Sequence, residues 1–123
     1  MAVIVRSLSK FSLFMLLLLF SSGWTSKFVQ ATMLQKTWCV AKPSSDDSVL
    51  LGNINWACSQ VDCTVIQKGC NCFYPNSLIN HASVVMNLYY QTRGRNPWNC
   101  DFKSSALVVV TDPSYGNCIY PYL

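Results

Sequence analysis

The chain has 123 residues, seven cysteines and a formal net charge of +4. All seven cysteines follow an apolar leader that ends near residue 31, an arrangement typical of a small exported domain held by disulfides. Three of the nine cations belong to the leader, which leaves six cations against five aspartates. This near-neutral balance excludes nucleic acid or an anionic membrane as the main partner.

The leader has the features of a secretory signal peptide. Two cations precede an apolar run, residues 11–20, which is shorter than the roughly 20 apolar residues that a membrane span requires. Cleavage is expected after Ala31, with Gly23 as the alternative. We therefore predict a signal peptide over residues 1–31 and one secreted, extracellular domain over residues 32–123, with no membrane anchor.

After the leader, the pattern of apolar and turn-forming residues predicts a small α+β domain with two main helices and a small antiparallel sheet. In chain order, the predicted elements are a strand over Thr37–Ala41, a helix from Ser45 or Asp46 to about Cys58, a short helical turn over Asp62–Gln67, a helix that follows Pro75 and ends near Thr92, and a strand over Leu107–Thr111. A domain of this size needs crosslinks, because a small chain buries a small share of its surface.

The second predicted helix carries the clearest periodicity. Leu78, Ala82, Val85 and Tyr89 recur at the spacing of one buried helical stripe. Its N-terminal cap is expected at Asn76 or Ser77, and its end at Gly94.

The titratable residues argue against catalysis. The part beyond residue 31 has no glutamate and one histidine, whereas glycoside hydrolysis normally needs two opposed carboxyl groups. We expect Asp62 and Asp101 to accept local backbone hydrogen bonds and His81 to serve in packing or capping. The Cys70-x-Cys72 spacing is too short for a zinc knuckle. We therefore predict no enzyme activity, no cofactor and no metal.

Aromatic side chains are abundant enough that some should remain exposed. Tyr and Trp offer a flat apolar face with a polar edge, which suits stacking on a sugar ring while nearby amides bond its hydroxyls. The alternative is that most of these rings belong to the core. The predicted carbohydrate-binding residues are Trp56, Tyr74, Tyr89, Tyr90 and Trp98, and the candidate amides are Asn53, Asn55, Asn76, Asn80, Asn87, Asn96 and Asn99.

A series of short motifs covers the chain from about residue 37 to residue 120. They are Trp38-Cys39-Val40-Ala41, Ala57-Cys58, Asp62-Cys63, Pro75-Asn76, His81-Ala82-Ser83, Tyr89-Tyr90-Gln91, Cys100-Asp101-Phe102 and Asp112-Pro113-Ser114-Tyr115-Gly116. In this order they resemble the plant X8 domain, the family 43 carbohydrate-binding module. The resemblance implies non-catalytic binding of β-1,3-glucan (callose) in the plant cell wall, by a single-domain secreted protein of the pollen-allergen and callose-binding type.

The resemblance also implies a disulfide framework. The family joins its cysteines first to fifth, second to third and fourth to sixth. Its fourth cysteine ends a Gly-Gly-x-Cys motif that precedes Pro-Asn. In this chain the matching residues are Gly69-Cys70-Asn71-Cys72, so Cys72 takes the place of that cysteine and Cys70 replaces a glycine. The implied pairs are Cys39–Cys100, Cys58–Cys63 and Cys72–Cys118, which leaves Cys70 as an unpaired thiol able to link two molecules.

The chain departs from the family pattern at two places. Asn55-Trp56 stands where the family usually has Asp-Tyr, and Val84-Val85-Met86 stands where it often has Tyr-Ala-Phe. The alternative interpretation is a secreted cysteine-rich protein that interacts with other proteins in defence or signalling.

Overall fold

The structure is a computed structural model that describes residues 35–123. The predicted signal peptide, residues 1–31, lies outside the described residues. The elements are β1 (Trp38–Ala41), α1 (Asp47–Cys58), α2 (Leu78–Thr92) and β2 (Ala106–Val109), with 3-10 turns at Thr64–Ile66 and Pro97–Cys100. The predicted α+β class, with two helices and a small antiparallel sheet, is confirmed. No helix in residues 35–123 is long and apolar enough to cross a bilayer.

Both ends of α2 follow local capping chemistry. At its start, the Ser77 hydroxyl accepts a hydrogen bond from the N–H of Asn80 at 3.2 Å. At its end, Gly94 has φ +91°, its N–H bonds to the carbonyl of Gln91, and the N–H of Arg95 bonds to the carbonyl of Tyr90. These paired bonds form a Schellman motif, which a glycine with positive φ favours. In contrast, Asp46 precedes α1 without a side-chain capping bond.

The helix α2 buries a wider face than the predicted stripe because it packs against α1 and also against β1. Ala82 and Val85 are fully buried, as predicted, but Val84 and Met86 are buried as well. Tyr89 is only half-buried. The stripe therefore identifies the correct helix but not the full extent of its buried surface.

The strand β1 is satisfied on both of its edges. One edge pairs with β2 in an antiparallel register that places Cys39 opposite Val108. On the other edge, the backbone N–H groups of Cys39 and Ala41 donate to Asn87 Oδ1 at 3.1 Å and Ser83 Oγ at 3.0 Å. Four helical residues rise about 6 Å and two strand residues about 6.6 Å, so side chains four apart on α2 match alternate amides of β1.

Three disulfides join the same pairs that the resemblance implies. Cys39–Cys100 spans 61 residues, Cys72–Cys118 spans 46, and Cys58–Cys63 closes a short loop at the end of α1. The first lies in a core cluster with Leu50, Met86 and other apolar side chains, and the second lies in a second cluster around Trp38 and Val84. Each long bridge therefore lies inside one of these two apolar clusters and crosslinks the segments that form it.

Candidate functional site

An open groove of about 520 Å³ lies between α1 and the segment that follows the Pro97 turn. Its size falls within the range typical of small-ligand sites. The α1 residues that line it are Ser48 and the residues one, four, five and eight positions after it, so they share one helical face. The lining residues are Ser48, Val49, Gly52, Asn53, Trp56, Tyr89, Trp98, Asn99, Phe102 and Lys103.

One wall of the groove is an aromatic cluster of Trp56, Tyr89 and Phe102. The Trp56 and Tyr89 ring centroids are 4.8 Å apart at an interplanar angle of 70°, and Phe102 meets both rings edge to face at 5.9 and 5.8 Å. The guanidinium of Arg93 lies 4.8 Å from the centroid of Tyr89. Because Arg93 covers part of Tyr89, this ring supports the wall and offers little free face for a ligand.

Trp98 is the most exposed of the large aromatic rings, with 74% of its surface open to solvent. Within residues 35–123 it makes no aromatic pair and no side-chain hydrogen bond. The backbone that carries it is anchored, because Trp98 lies in the Pro97–Cys100 turn and Cys100 is bridged to β1. An exposed indole with no structural partner, on an anchored turn, is the kind of side chain that binds a flat apolar surface.

The segment after Cys100 is held in a left-handed turn. Phe102, Lys103 and Ser104 have φ values of 51°, 55° and 63°, and none of them is glycine. Each such residue costs roughly 1–2 kcal/mol, so surrounding bonds must hold the turn. Ser105 Oγ donates to the carbonyl of Phe102, and Asn53 Nδ2 donates to Ser105 Oγ at 2.6 Å. The turn places Phe102 in the aromatic wall and Lys103 at the groove.

The candidate amides divide into structural and groove-lining groups. Asn87 is fully buried, and Asn80 bonds to the carbonyls of Cys72 and Pro75. Asn53 lines the groove, but its Nδ2 already donates to Ser105 Oγ. Asn99 also lines the groove, and its buried Oδ1 has no hydrogen-bond partner within the described residues. Of the two candidate amides that line the groove, Asn99 is the one that makes no side-chain hydrogen bond within the described residues.

The structure brings together three of the five predicted binding residues, namely Trp56, Tyr89 and Trp98. Tyr74 is 69% exposed but lies outside the groove lining, where it packs on Phe73. The prediction for Tyr90 needs correction, because this ring is only 2% exposed and its hydroxyl is 2.8 Å from Thr37 Oγ1. Tyr90 is a core residue and cannot stack on a sugar ring in this structure.

Sequence reasoning missed Phe102 and Lys103. Neither lies on a periodic apolar face, and the left-handed turn that brings them to the groove contains no glycine to mark it. Phe102 follows the bridged Cys100 by two residues, so its nearness to a covalent anchor was the available signal. An aromatic residue beside a bridging cysteine is therefore a useful candidate for a fixed surface.

The aspartates and His81 are not among the residues that line the groove. The hydroxyl and backbone N–H of Thr64 donate to Asp62, which lowers the pKa of that carboxyl, whereas Asp101 makes no side-chain hydrogen bond within the described residues. A ring nitrogen of His81 is 2.7 Å from the carbonyl of Phe73, consistent with the predicted packing role. No Asp, Glu or His is among the residues that line the groove.

Cys70 is half-buried and has no disulfide partner. It borders a separate shallow depression with Val65 and Leu88. The hypothesis of a Cys70-linked dimer gains no support from this position.

Comparison with known proteins identifies the relatives of the chain. The sequence model of the X8 domain matches residues 37–107. The chain is 56% identical over 86 residues to a glucan endo-1,3-beta-D-glucosidase of Olea europaea, which covers 69% of the chain and 19% of that protein. It is 54% identical over 83 residues to a glucan endo-1,3-beta-glucosidase of Triticum aestivum, covering 68% and 18%. The chain thus spans about a fifth of these two relatives.

A relative of similar length was also found. The chain is 43% identical over 91 residues to the major pollen allergen Ole e 10 of Olea europaea, which covers 72% of the chain and 74% of the allergen. The shared region therefore exists both as part of much longer glucosidases and as most of a short protein.

Proposed function

Because the chain belongs to the X8 domain family, we propose that it binds β-1,3-glucan in the plant cell wall without cleaving it. The relatives named as glucan endo-1,3-beta-glucosidases support β-1,3-glucan as the ligand class. The chain matches only a fifth of those enzymes, while it matches most of the short pollen allergen. This distribution supports a secreted protein that acts as a binding module.

The proposed mechanism is stacking on a preformed surface. A glucosyl ring packs on the indole of Trp98, and the half-exposed ring of Trp56 contacts the same or the next sugar. The Nδ2 group of Asn99 donates a hydrogen bond to a sugar hydroxyl. Because no carboxyl group lines the groove, it has neither the acid nor the nucleophile that glycoside hydrolysis normally uses. This composition supports binding without bond cleavage.

The observation that carries the proposal is the exposure of Trp98 in a fixed turn at the groove. The decisive experiment is retention of the purified, oxidised protein on insoluble β-1,3-glucan, with cellulose as the reference polysaccharide. We expect retention on the glucan alone. We expect the Trp98→Ala variant to bind about thirtyfold more weakly, since truncating a central aromatic contact typically removes about 2 kcal/mol.

Tyr74→Ala is the matched control for Trp98→Ala. The two rings are exposed to a similar extent, 69% and 74%, but only Trp98 lines the groove. Tyr74→Ala should therefore bind like the wild type. If the two substitutions weaken retention equally, the groove is not the binding site. If the wild type binds neither polysaccharide, the proposed function itself is wrong.

Gly52 allows the groove to be filled without damaging the core. A Cβ atom built on Gly52 meets no atom within 4 Å, although the residue lines the groove and lies in α1. Gly52→Gln should preserve or raise stability, because Gln is a better helix former than Gly by roughly 0.5 kcal/mol or more. The same variant should reduce glucan retention. Undiminished retention would exclude this groove.

The alternative function, interaction with other proteins in defence or signalling, makes different predictions. It requires neither glucan retention nor sensitivity to Gly52→Gln. Release of reducing sugar from soluble β-1,3-glucan by the purified protein would instead indicate an enzyme. The pull-down and the sugar-release assay together separate the three classes.

A further inference from the structure

The groove carries a positive charge, that of Lys103, although the proposed ligand β-1,3-glucan is a neutral polymer. Lys103 lines the groove and is exposed. It stands in the middle of the left-handed turn, at φ 55°, between Phe102 and Ser104. Strained backbone of this kind persists only where the surrounding structure enforces it, and it concentrates at functional surfaces. The turn therefore holds a cation at the groove at a cost in conformational energy.

Arg93 supplies a second cation to the same aromatic wall. Its guanidinium lies over the ring of Tyr89, and its one side-chain hydrogen bond within the described residues goes to Gln60 Oε1 at 3.5 Å. A guanidinium has five N–H donors, so most of its hydrogen-bonding capacity is free. Arg93 is exposed, and its donors remain available to a ligand at the Tyr89 end of the wall.

Among the described residues, no acid pairs with Lys103 at the groove or with Arg93 at the Tyr89 end of the wall. Within residues 35–123, neither Lys103 nor Arg93 has a carboxylate within ion-pair distance. Asp101 is exposed and close to Lys103 in sequence, but it does not line the groove. Unpaired cations beside exposed aromatic rings match a sugar that carries a carboxylate, because the ring stacks while the carboxylate pairs with the cation.

We propose that the groove also binds an acidic glycan of the polyuronate class, with Lys103 and Arg93 pairing with uronate carboxylates beside the Trp56–Tyr89–Phe102 wall. Arg93 is suited to bidentate pairing with a carboxylate, whereas Lys103 acts as a point charge. This site shares its aromatic surface with the proposed glucan site. The acidic-glycan proposal does not depend on the glucan proposal, because it rests on the two cations, and binding of the two ligands can be measured separately.

The experiment measures binding of the oxidised protein to polygalacturonate and to its fully methyl-esterified form. The ester has the same backbone without the charge, so it is the matched ligand control. We expect binding to the acid form to be stronger and to weaken as the salt concentration rises. Lys103→Gln and Arg93→Gln should each weaken binding to the acid form about two- to fivefold, the range of an exposed ion pair.

Lys68→Gln is the matched protein control, because Lys68 is an exposed cation that neither lines the groove, as Lys103 does, nor lies over Tyr89, as Arg93 does. It removes the same net charge and should leave binding unchanged. Lys103→Arg should retain binding, which separates loss of charge from loss of fold. Equal weakening by Lys68→Gln and Lys103→Gln would overturn the proposal in favour of nonspecific attraction. So would equal binding of the acid and ester forms, or binding that does not respond to salt.

Failure of this inference is distinct from failure of the proposed function. If the wild type is retained on β-1,3-glucan but ignores polygalacturonate, only the acidic site is wrong. If the wild type binds polygalacturonate through Lys103 and Arg93 but not β-1,3-glucan, the glucan proposal is wrong and the acidic site stands.

Discussion

Asn87 should be one of the most sensitive positions in the domain, because its side chain connects three separate parts of the chain. The residue is fully buried. Its Oδ1 accepts from the N–H of Cys39 at 3.1 Å and from Gln91 Nε2 at 3.0 Å, and its Nδ2 donates to the carbonyl of Pro121 at 3.0 Å. These bonds tie β1 and the C-terminal segment to α2.

The substitution Asn87→Ala removes all three bonds. Gln91 Nε2 keeps a second partner, the carbonyl of Thr37, but the Cys39 N–H and the Pro121 carbonyl lose their only hydrogen-bond partner within residues 35–123. Each polar group left unsatisfied costs about 1–3 kcal/mol, and a small cavity adds to this. We expect a loss of roughly 3–5 kcal/mol, a large share of the about 5–15 kcal/mol that stabilises a typical domain.

The assay is urea unfolding at equilibrium with the disulfides intact, supported by thermal melting. For a domain of this size, a loss of about 4 kcal/mol lowers Tm by roughly 15–30 °C. Asn71→Ala is the control, because Asn71 is exposed and should change stability by no more than about 0.5 kcal/mol. Asn87→Leu tests the cause, since it fills the cavity and leaves the polar groups unpaired. A loss below about 1 kcal/mol for Asn87→Ala, or full recovery in Asn87→Leu, would refute the reasoning.

Three further predictions concern backbone strain, a carboxylate and a disulfide. Ser104→Gly should stabilise the domain by about 1 kcal/mol in urea unfolding, because glycine tolerates the positive φ of 63°; a loss of stability would argue against the left-handed turn. The hydroxyl and N–H of Ser114 donate to Asp112 and lower the pKa of this exposed carboxyl. Its contribution to stability is therefore present above the ordinary pKa of about 3.9 and is lost as the pH falls through the lowered folded value. NMR titration of Ser114→Ala should show the pKa moving up, and an unchanged value would contradict this cause. Replacing Cys58 and Cys63 together by Ala should cost only about 2 kcal/mol, because the bridge closes a loop with a sequence separation of 5, and the variant should still fold cooperatively on heating.

The helices could be predicted from sequence because their signals are local. Ser77 caps α2 and Gly94 ends it, and both effects depend on a few neighbouring residues. The short strands were found within one or two residues for the same reason. Which aromatic rings face solvent depends on tertiary packing. A single periodic stripe assigns Tyr89 to the core, but contacts of α2 with both α1 and β1 bury Tyr90 instead and leave Tyr89 partly exposed.

The groove could be predicted only in part. Trp56 and Trp98 were identified because aromatic side chains are abundant in the chain and their flat faces suit stacking on a sugar, but the path of residues 102–104 has no local signature. The role of Asn87 was also hidden, because a polar residue within a helix is normally expected at the surface. Its burial becomes reasonable once β1 lies beside α2 and offers unpaired backbone N–H groups.

The bridge between Cys39 and Cys100 makes the groove a product of oxidation. Trp98 lies two residues before Cys100 and Phe102 two residues after it, so one covalent bond to β1 holds both rings. In the reduced chain these rings would sit on a free loop, and a ligand would have to order them on binding, which lowers affinity. With the bridge formed, the chain path that carries both rings is ordered before a ligand arrives, so we expect reduction of Cys39–Cys100 to weaken binding.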